Sequence, residues 1–270
     1  MWDPGQYRKF ADERSRPFAE LLARIRPEDP KLVVDLGCGP GELTATLARR
    51  WPDAEVRGVD SSAEMIAAAQ ALLAAGPSDG PAGRAPEAGS GRLSFTLADA
   101  THWTPDRPAD VIISNAVLQW IPGHLQVLAR WAGFLAAGGW LGIQVPGNFD
   151  QPSHAILREL ARSPAWRPLL GDVRLNRQAD EPAAYLDVLA GAGCQVDAWE
   201  TTYLHVLHGA DPVLDWYRGT GLRPVLAALP PGAAAEFTAE YGARLREAYP
   251  AGPHGTVLAF RRVFAVAVRG

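Results

Sequence analysis

The sequence predicts an α/β fold: a doubly wound, mostly parallel seven-stranded sheet with an antiparallel last strand and a helical lid. Three observations predict it. Short apolar runs at Lys31–Leu36, Glu55–Val59, Leu93–Leu97, Asp110–Ser114 and Trp140–Val145 alternate with segments of helical period. A glycine-rich turn, Asp35-Leu-Gly-Cys-Gly-Pro-Gly41, follows the first run and opens the first of those helices. Beyond Val145 the alternation gives way to two longer helical stretches, 147–180 and 211–249, and two more strands, 195–207 and 256–268.

Each element has its own signal. Residues 5–26 show helical spacing, with Phe18, Leu21, Leu22 and Ile25 on one face, and Pro27 and Pro30 end the segment. Lys31–Leu36 reads as a strand buried on both faces. The next helix carries Leu43, Leu47 and Ala48 inward. Ser62 caps another, with Met65, Ile66, Ala69 and Leu72 expected inward. Residues 76–92, rich in Gly, Pro, Ala and Ser, read as a flexible loop. A helix is expected from Gly123 to Leu135, ended by Gly138-Gly139, and others at 152–162 and 182–191. Leu214, Tyr217, Leu226, Leu229, Phe237, Tyr241 and Leu245 are core candidates of the second helical stretch. The organisation predicted is one Rossmann-like domain over residues 1–270, with an N-terminal helical cap at 1–27 and lid inserts at 147–180 and 211–249.

Composition narrows the function classes. A net charge of −4 supplies no global basic field, so nucleic acid is not an expected partner. No apolar run approaches the roughly 18 residues of a membrane span. The start of the chain lacks the basic and apolar regions of a secretory signal. Cys38 lies inside the glycine turn and Cys194 far from it, and both are expected reduced, in a cytoplasmic protein. His205 and His208 are the closest histidine pair. Three residues apart on a strand means opposite faces, so no metal site is expected. Lysines number only two, Lys9 and Lys31, so anion recognition falls to arginine.

In open parallel sheets, ligands bind beyond the carboxyl ends of strands at the point where strand order reverses. Gly37, Gly39 and Gly41 let a cofactor approach the backbone there. The dinucleotide fingerprint wants glycine at position 42, where this chain has Glu42. A carboxylate at a helix entry repels a pyrophosphate. S-adenosylmethionine has no phosphate, and its cationic groups tolerate carboxylates. Asp35 suits its ammonium, Asp60 its two ribose hydroxyls, and Asp99 its adenine amino group, with Met65 and Ala100 flanking the ring. Helix capping is the alternative role for Asp60 and Asp99; the cofactor reading is favoured for both, by a wide margin for Asp60 and a narrower one for Asp99. Cys38 reads as a small packing residue at the turn.

Phe10-Ala-Asp-Glu-Arg-Ser-Arg-Pro17, the glycine turn, Val59-Asp-Ser-Ser62, Ser114-Asn-Ala-Val-Leu-Gln-Trp120, Ala192-Gly-Cys194, Thr201-Thr-Tyr203 and Thr220-Gly-Leu-Arg-Pro224 together resemble the trans-aconitate 2-methyltransferases. The resemblance runs from the first ten residues to the terminal strand. It implies methylation of a carboxylate of trans-aconitate, giving a monomethyl ester and S-adenosylhomocysteine. An ionised carboxylate is already a nucleophile, so no catalytic base is expected. The enzyme must align oxygen and methyl at about 3–3.5 Å and exclude water. Tricarboxylate recognition suits bidentate arginine. Arg16 and Arg223 lead the candidates, followed by Arg14, Arg174 and Arg177; a solvated surface role is the alternative for each. Asn115, Gln119 and Trp120 are placed at the methyl-transfer position, with core packing the alternative for Trp120. Ser61 joins the cofactor set, Tyr7 and Trp2 close over the cofactor, and Tyr203 and His205 are weaker polar candidates near the lid.

Three alternatives remain open at this level. Another small polycarboxylic or acyl acid would use the same cofactor motifs. An NAD-dependent dehydrogenase is opposed by Glu42 and by the lack of an evident catalytic His or Lys constellation. A non-catalytic S-adenosylmethionine-binding module would not need so large a lid.

Overall fold

In a computed structural model of the chain, the structure describes residues 11–75, 93–171, 173, 175 and 179–270, with side chains from Ser15 onward. The expected loop at 76–92 lies outside the described residues, as do Trp2, Tyr7, Arg174 and Arg177 and the side chain of Arg14. In chain order the elements are α1 (Ala11–Ala23), β1 (Leu32–Leu36), α2 (Glu42–Arg50), β2 (Glu55–Asp60), α3 (Ala63–Ala74), β3 (Leu93–Leu97), β4 (Ala109–Asn115), a 3-10 turn at Leu118–Trp120, α4 (His124–Gly133) and β5 (Leu135–Pro146). There follow α5 (Pro152–Arg162), α6 (Arg167–Leu170), α7 (Pro182–Gly191), β6 (Cys194–Leu207), α8 (Pro212–Arg218), α9 (Arg223–Ala228), α10 (Pro231–Ala248) and β7 (Thr256–Arg269).

The seven strands form one sheet in the order β3-β2-β1-β4-β5-β7-β6. β1 pairs in parallel with β2 and β4, β2 with β3, and β4 with β5, whereas the last strands are antiparallel. β1 is buried at every residue, as its unbroken apolar run requires. Strand order reverses between β1 and β4, so the turns after these two strands flank the crevice where such sheets take ligands.

The chain forms two compact units. One comprises Ser15–Val145, Asp180–Glu200 and Val263–Gly270; the other comprises Pro146–Ala179 and Thr201–Arg262, with the segment ending at Arg14. In the first, Phe18, Leu21 and Ile25 are buried, and Gly142 on β5 leaves room for Ile25, whose side chain a Cβ there would meet at 2.4 Å. In the second, Leu157, Leu160, Trp216, Phe237, Tyr241 and Leu245 build a separate core. Of the candidates in this stretch, Leu226 is only partly buried.

Two local expectations are corrected. Leu72 does not face inward: it is 36% exposed, and Leu73 packs beside Ile66 and Ala69 instead. A spacing of three then four residues follows the helical repeat more closely than an i+6 position does. Gly138-Gly139 does not end a helix either. α4 stops at Gly133, and both glycines lie inside β5, which begins at Leu135 rather than Trp140. Ala109 pairs with Leu135 and Val111 with Trp140, so β5 bulges between them, and Gly138 at φ 73° takes the turn that an L side chain resists.

Candidate active site

The glycine turn is held by hydrogen bonds between the ends of β1 and β2. Gly37 N and Cys38 N both donate to Val59 O, at 2.7 and 3.0 Å, and Gly41 N donates to Cys38 O at 3.2 Å. Gly39 has φ 56°, and a Cβ built there meets nothing within 4 Å, so its outer side is open. Gly41, at φ 85°, has no such space, because a Cβ there would lie 2.6 Å from the Phe95 ring. The two glycines therefore do different work: one leaves room for a ligand, the other lets α2 start close to the sheet.

Asp60 ends β2 with its carboxylate locked. One oxygen accepts from Gly39 N at 2.9 Å and the other from Ser62 N at 2.8 Å. Each oxygen keeps a second lone pair, so the group can still accept two hydroxyl donors. Ser62 does cap α3, its Oγ accepting from Met65 N at 3.3 Å. Ser61 is exposed and Met65 half-buried in the same turn.

Asp35 is buried beneath the turn and accepts from Thr44 Oγ1 at 2.6 Å. Burial pushes its carboxyl up to about 6; the Thr44 bond opposes that rise, and the charge of Asp60 adds to it. Thr44 carries no sequence signal as a site residue, since a threonine in a first helical turn is commonplace. Burial, reinforced by Asp35 and Asp60, pushes the Cys38 thiol far above its ordinary value. Cys38 packs with Ile66, Ala69 and Phe95, as a small residue at the turn should.

Asp99 caps its own turn. Its Oδ1 accepts from Thr101 N at 2.8 Å and Thr101 Oγ1 at 2.7 Å, which hold its carboxyl below the ordinary value. Ala100 is buried, and its carbonyl accepts from Trp131 Nε1 at 3.1 Å.

The turn after β4 is the second wall. Ser114 Oγ donates to Leu36 O at 2.8 Å, tying the carboxyl ends of β4 and β1 together. Ala116 then adopts φ 59°, a left-handed conformation that costs an alanine free energy and is often retained at functional sites. Gln119 Nε2 donates to Ala116 O at 2.6 Å and holds that conformation. Asn115 Oδ1 and Gln119 Oε1 are buried with no hydrogen-bond partner among the described residues. Two idle acceptors here suit a ligand that brings its own donors. Trp120 is 55% exposed, so it is not a core residue.

In this unit the fold thus gathers Asp35, Gly37–Gly41, Asp60, Ser61 and Met65 with Asn115 and Gln119 at the switch point, and Glu42 stands exposed in the first turn of α2. Arg16 is an exposed residue of α1. In the other unit, Arg223 is exposed at the start of α9, while Tyr203 and His205 are buried on β6 with their rings stacked at 6.0 Å. Among the described residues no cluster of His, Cys, Asp and Glu could hold a metal, and no helix is long and apolar enough to cross a membrane.

Comparison with known proteins agrees with this geometry. A methyltransferase-domain family model matches residues 33–139. A trans-aconitate 2-methyltransferase of Streptomyces avermitilis is 55% identical over 269 residues, covering 98% of this chain and 96% of its own. One from Streptomyces coelicolor is 53% identical over 98% of this chain and 86% of its own. Among solved structures, phosphoethanolamine N-methyltransferase 2 of Haemonchus contortus, in complex with phosphomonomethylethanolamine and S-adenosylhomocysteine, shares the fold. It aligns with a TM-score of 0.56 at 15% identity, over 94% of this chain and 52% of its own. Identity at this level over nearly the whole chain settles the family, and the chain belongs to the trans-aconitate 2-methyltransferases.

Proposed function

We propose that the protein transfers the methyl group of S-adenosylmethionine to a carboxylate of trans-aconitate, giving the monomethyl ester and S-adenosylhomocysteine. The observation that carries the cofactor is the Asp60 carboxylate, fixed by Gly39 N and Ser62 N beside the open face of Gly39. The donor set fits the group: Asp60 for vicinal hydroxyls, and ionised Asp35 with the idle Asn115 Oδ1 for an ammonium. Glu42 opposes a pyrophosphate at the same helix entry. When bound, S-adenosylmethionine supplies an electrophilic methyl on a sulfonium centre. The trans-aconitate acceptor is supported by relatives matched over 98% of the chain.

The protein's own part is to bind, orient and dehydrate. The acceptor arrives ionised, so no residue needs to remove a proton. Asp60 and the glycine turn hold the cofactor in a fixed pose, and the Ala116 turn, braced by Gln119, presents Asn115. An anion approaching a cation loses charge on the way to the transition state, so exclusion of water favours transfer. Arg16 and Arg223, with Arg14, Arg174 and Arg177, remain the arginines proposed to pair with the substrate. Asp99 and Ala100 are proposed at the adenine, and Tyr7 over the cofactor. A cytoplasmic setting, with Cys38 and Cys194 as thiols, belongs to the same reading.

The test is a screen of purified enzyme and S-adenosylmethionine against trans-aconitate, cis-aconitate, isocitrate and a malonyl thioester. We expect trans-aconitate to gain one methyl mass, with the ester position assigned by fragmentation. Turnover of another acid without any of trans-aconitate would overturn the acceptor and leave the cofactor reading standing.

A further inference from the structure

Thr44 stands outside the residues singled out by sequence. It is the third residue of α2, fully buried, and its Oγ1 donates to Asp35 Oδ2 at 2.6 Å. Both residues belong to one compact unit. A threonine inside a helix commonly returns its hydroxyl proton to a carbonyl one turn back. Thr46, two residues on in α2, does this, its Oγ1 donating to Leu43 O at 2.6 Å. Thr44 instead sends its proton across to the end of β1. The separation lies in the range of a hydroxyl bonded to an ionised carboxylate, about 2.5–2.7 Å.

The surroundings of Asp35 show what that bond offsets. Its partners across the sheet are Gly58 on β2 and Ile113 on β4, and neither can carry a charge. The titratable groups coupled to it are Asp60 at the end of β2 and Cys38 in the glycine turn, both of them acids. A buried carboxylate with acids around it keeps its proton unless donors replace the lost water. Among the described residues the Thr44 hydroxyl is the donor that meets the side chain, at Oδ2, and Oδ1 accepts no hydrogen bond. A carboxylate anchored through one oxygen and short of a cation is the complement of an ammonium group.

We propose that Thr44 is a positioning residue of the cofactor site: its hydroxyl anchors the Asp35 carboxylate through Oδ2 and leaves Oδ1 to accept the ammonium of S-adenosylmethionine. The inference deepens the reading above, in which Asp35 receives that ammonium, and rests on it. Thr44 acts through Asp35 in two ways. It restrains rotation of the carboxylate, and it favours the charged form that an ammonium needs, against burial and Asp60.

The test is calorimetric titration of wild type, Thr44→Val, Thr44→Ser and Asp35→Asn with S-adenosylhomocysteine, across the acid-to-neutral range. That ligand keeps the ammonium and lacks the reactive methyl. Methylthioadenosine, which keeps the nucleoside and lacks the ammonium, is titrated beside it. Valine preserves the shape and β-branching of threonine and removes only the donor. A hydrogen bond to a charged group shifts its ionisation by about one pH unit. We therefore expect the S-adenosylhomocysteine affinity of Thr44→Val to climb about one pH unit later than that of wild type, with binding about fivefold weaker near pH 6 and the gap narrowing above neutrality. Thr44→Ser should restore the wild-type profile, and methylthioadenosine affinity should stay within twofold of wild type in both Thr44 variants. A Thr44→Val profile that coincides with that of wild type overturns the proposal. So does an equal loss for both ligands, which marks a merely structural role. Asp35→Asn separates the two readings. If it loses at least tenfold while Thr44→Val loses nothing, the role of Thr44 alone fails; if it binds like wild type, the ammonium pairing fails and the role of Thr44 with it. If Thr44→Val does not fold, Thr44→Ala is read in the same way; if neither folds, the hydroxyl serves stability and the proposal falls.

Discussion

Asp35 shows how one residue trades stability for binding. Its carboxyl is pushed up to about 6, whereas an ordinary aspartate titrates near 3.8. Between those values the folded protein holds a proton that the unfolded chain has lost. Stability therefore falls as pH rises through that window and is level above it, at a cost of about 3 kcal/mol. A bound ammonium reverses the preference, because it favours the ionised carboxylate. Asp35→Asn keeps an acceptor for Thr44 and removes the buried charge. We expect it to melt higher than wild type at pH 7.5 without cofactor, and to bind S-adenosylmethionine at least tenfold more weakly. For wild type, affinity should climb as pH rises through about 6. Calorimetry across that range checks the second point, and a flat profile would contradict the assigned pairing.

At the scale of elements, the turn from β1 into α2 separates two roles that look alike in sequence. Gly41 sits where a Cβ would strike Phe95 at 2.6 Å and Ala69 Cβ at 2.9 Å, in a left-handed conformation. Gly41→Ala should therefore cost about 3 kcal/mol, from overpacking and left-handed strain together. Gly39 shares the left-handed conformation but faces open space. Gly39→Ala should cost only about 1 kcal/mol of stability, since strain alone acts, yet impair cofactor binding because the methyl enters the ligand's space. Urea denaturation with parallel S-adenosylmethionine titrations distinguishes them. Similar stability losses in the two variants would mean the contacts to Phe95 and Ala69 do not matter.

For the whole molecule, the relevant comparison is between cofactors. A ligand that binds only the folded state at a hundred times its Kd stabilises by about 2.7 kcal/mol. For a chain of this size that raises Tm by roughly 5–10 °C. S-adenosylmethionine should give such a shift, whereas millimolar NAD should give none, because Glu42 confronts its pyrophosphate. Differential scanning fluorimetry with both ligands measures this directly, and a comparable shift with NAD would reopen the dehydrogenase reading.

What the sequence by itself determined is the part set by local pattern. β1 and β4 stood out as short, largely buried apolar runs, and the half-buried β2 and β3 by their place in the alternation of strands with helices. The spacing of Asp35, the glycines and Asp60 marks successive strand ends, and the outer motifs mark the family. Tertiary structure decided everything that depends on which distant groups become neighbours. Gly138 and Gly139 read as a helix stop because glycine permits either that or a bulge, and only the pairing of Ala109 with Leu135 chose the bulge. Ala116 looks ordinary until the Gln119 bond holds it left-handed. Arg262 sits in a last strand that alternates poorly and is broadly apolar in sequence, and only the fold shows it buried. That the Tyr217 hydroxyl meets Ser153 and Asn148, from segments about 60 to 70 residues away in the chain, follows from the fold, because no local pattern encodes contacts between segments so far apart.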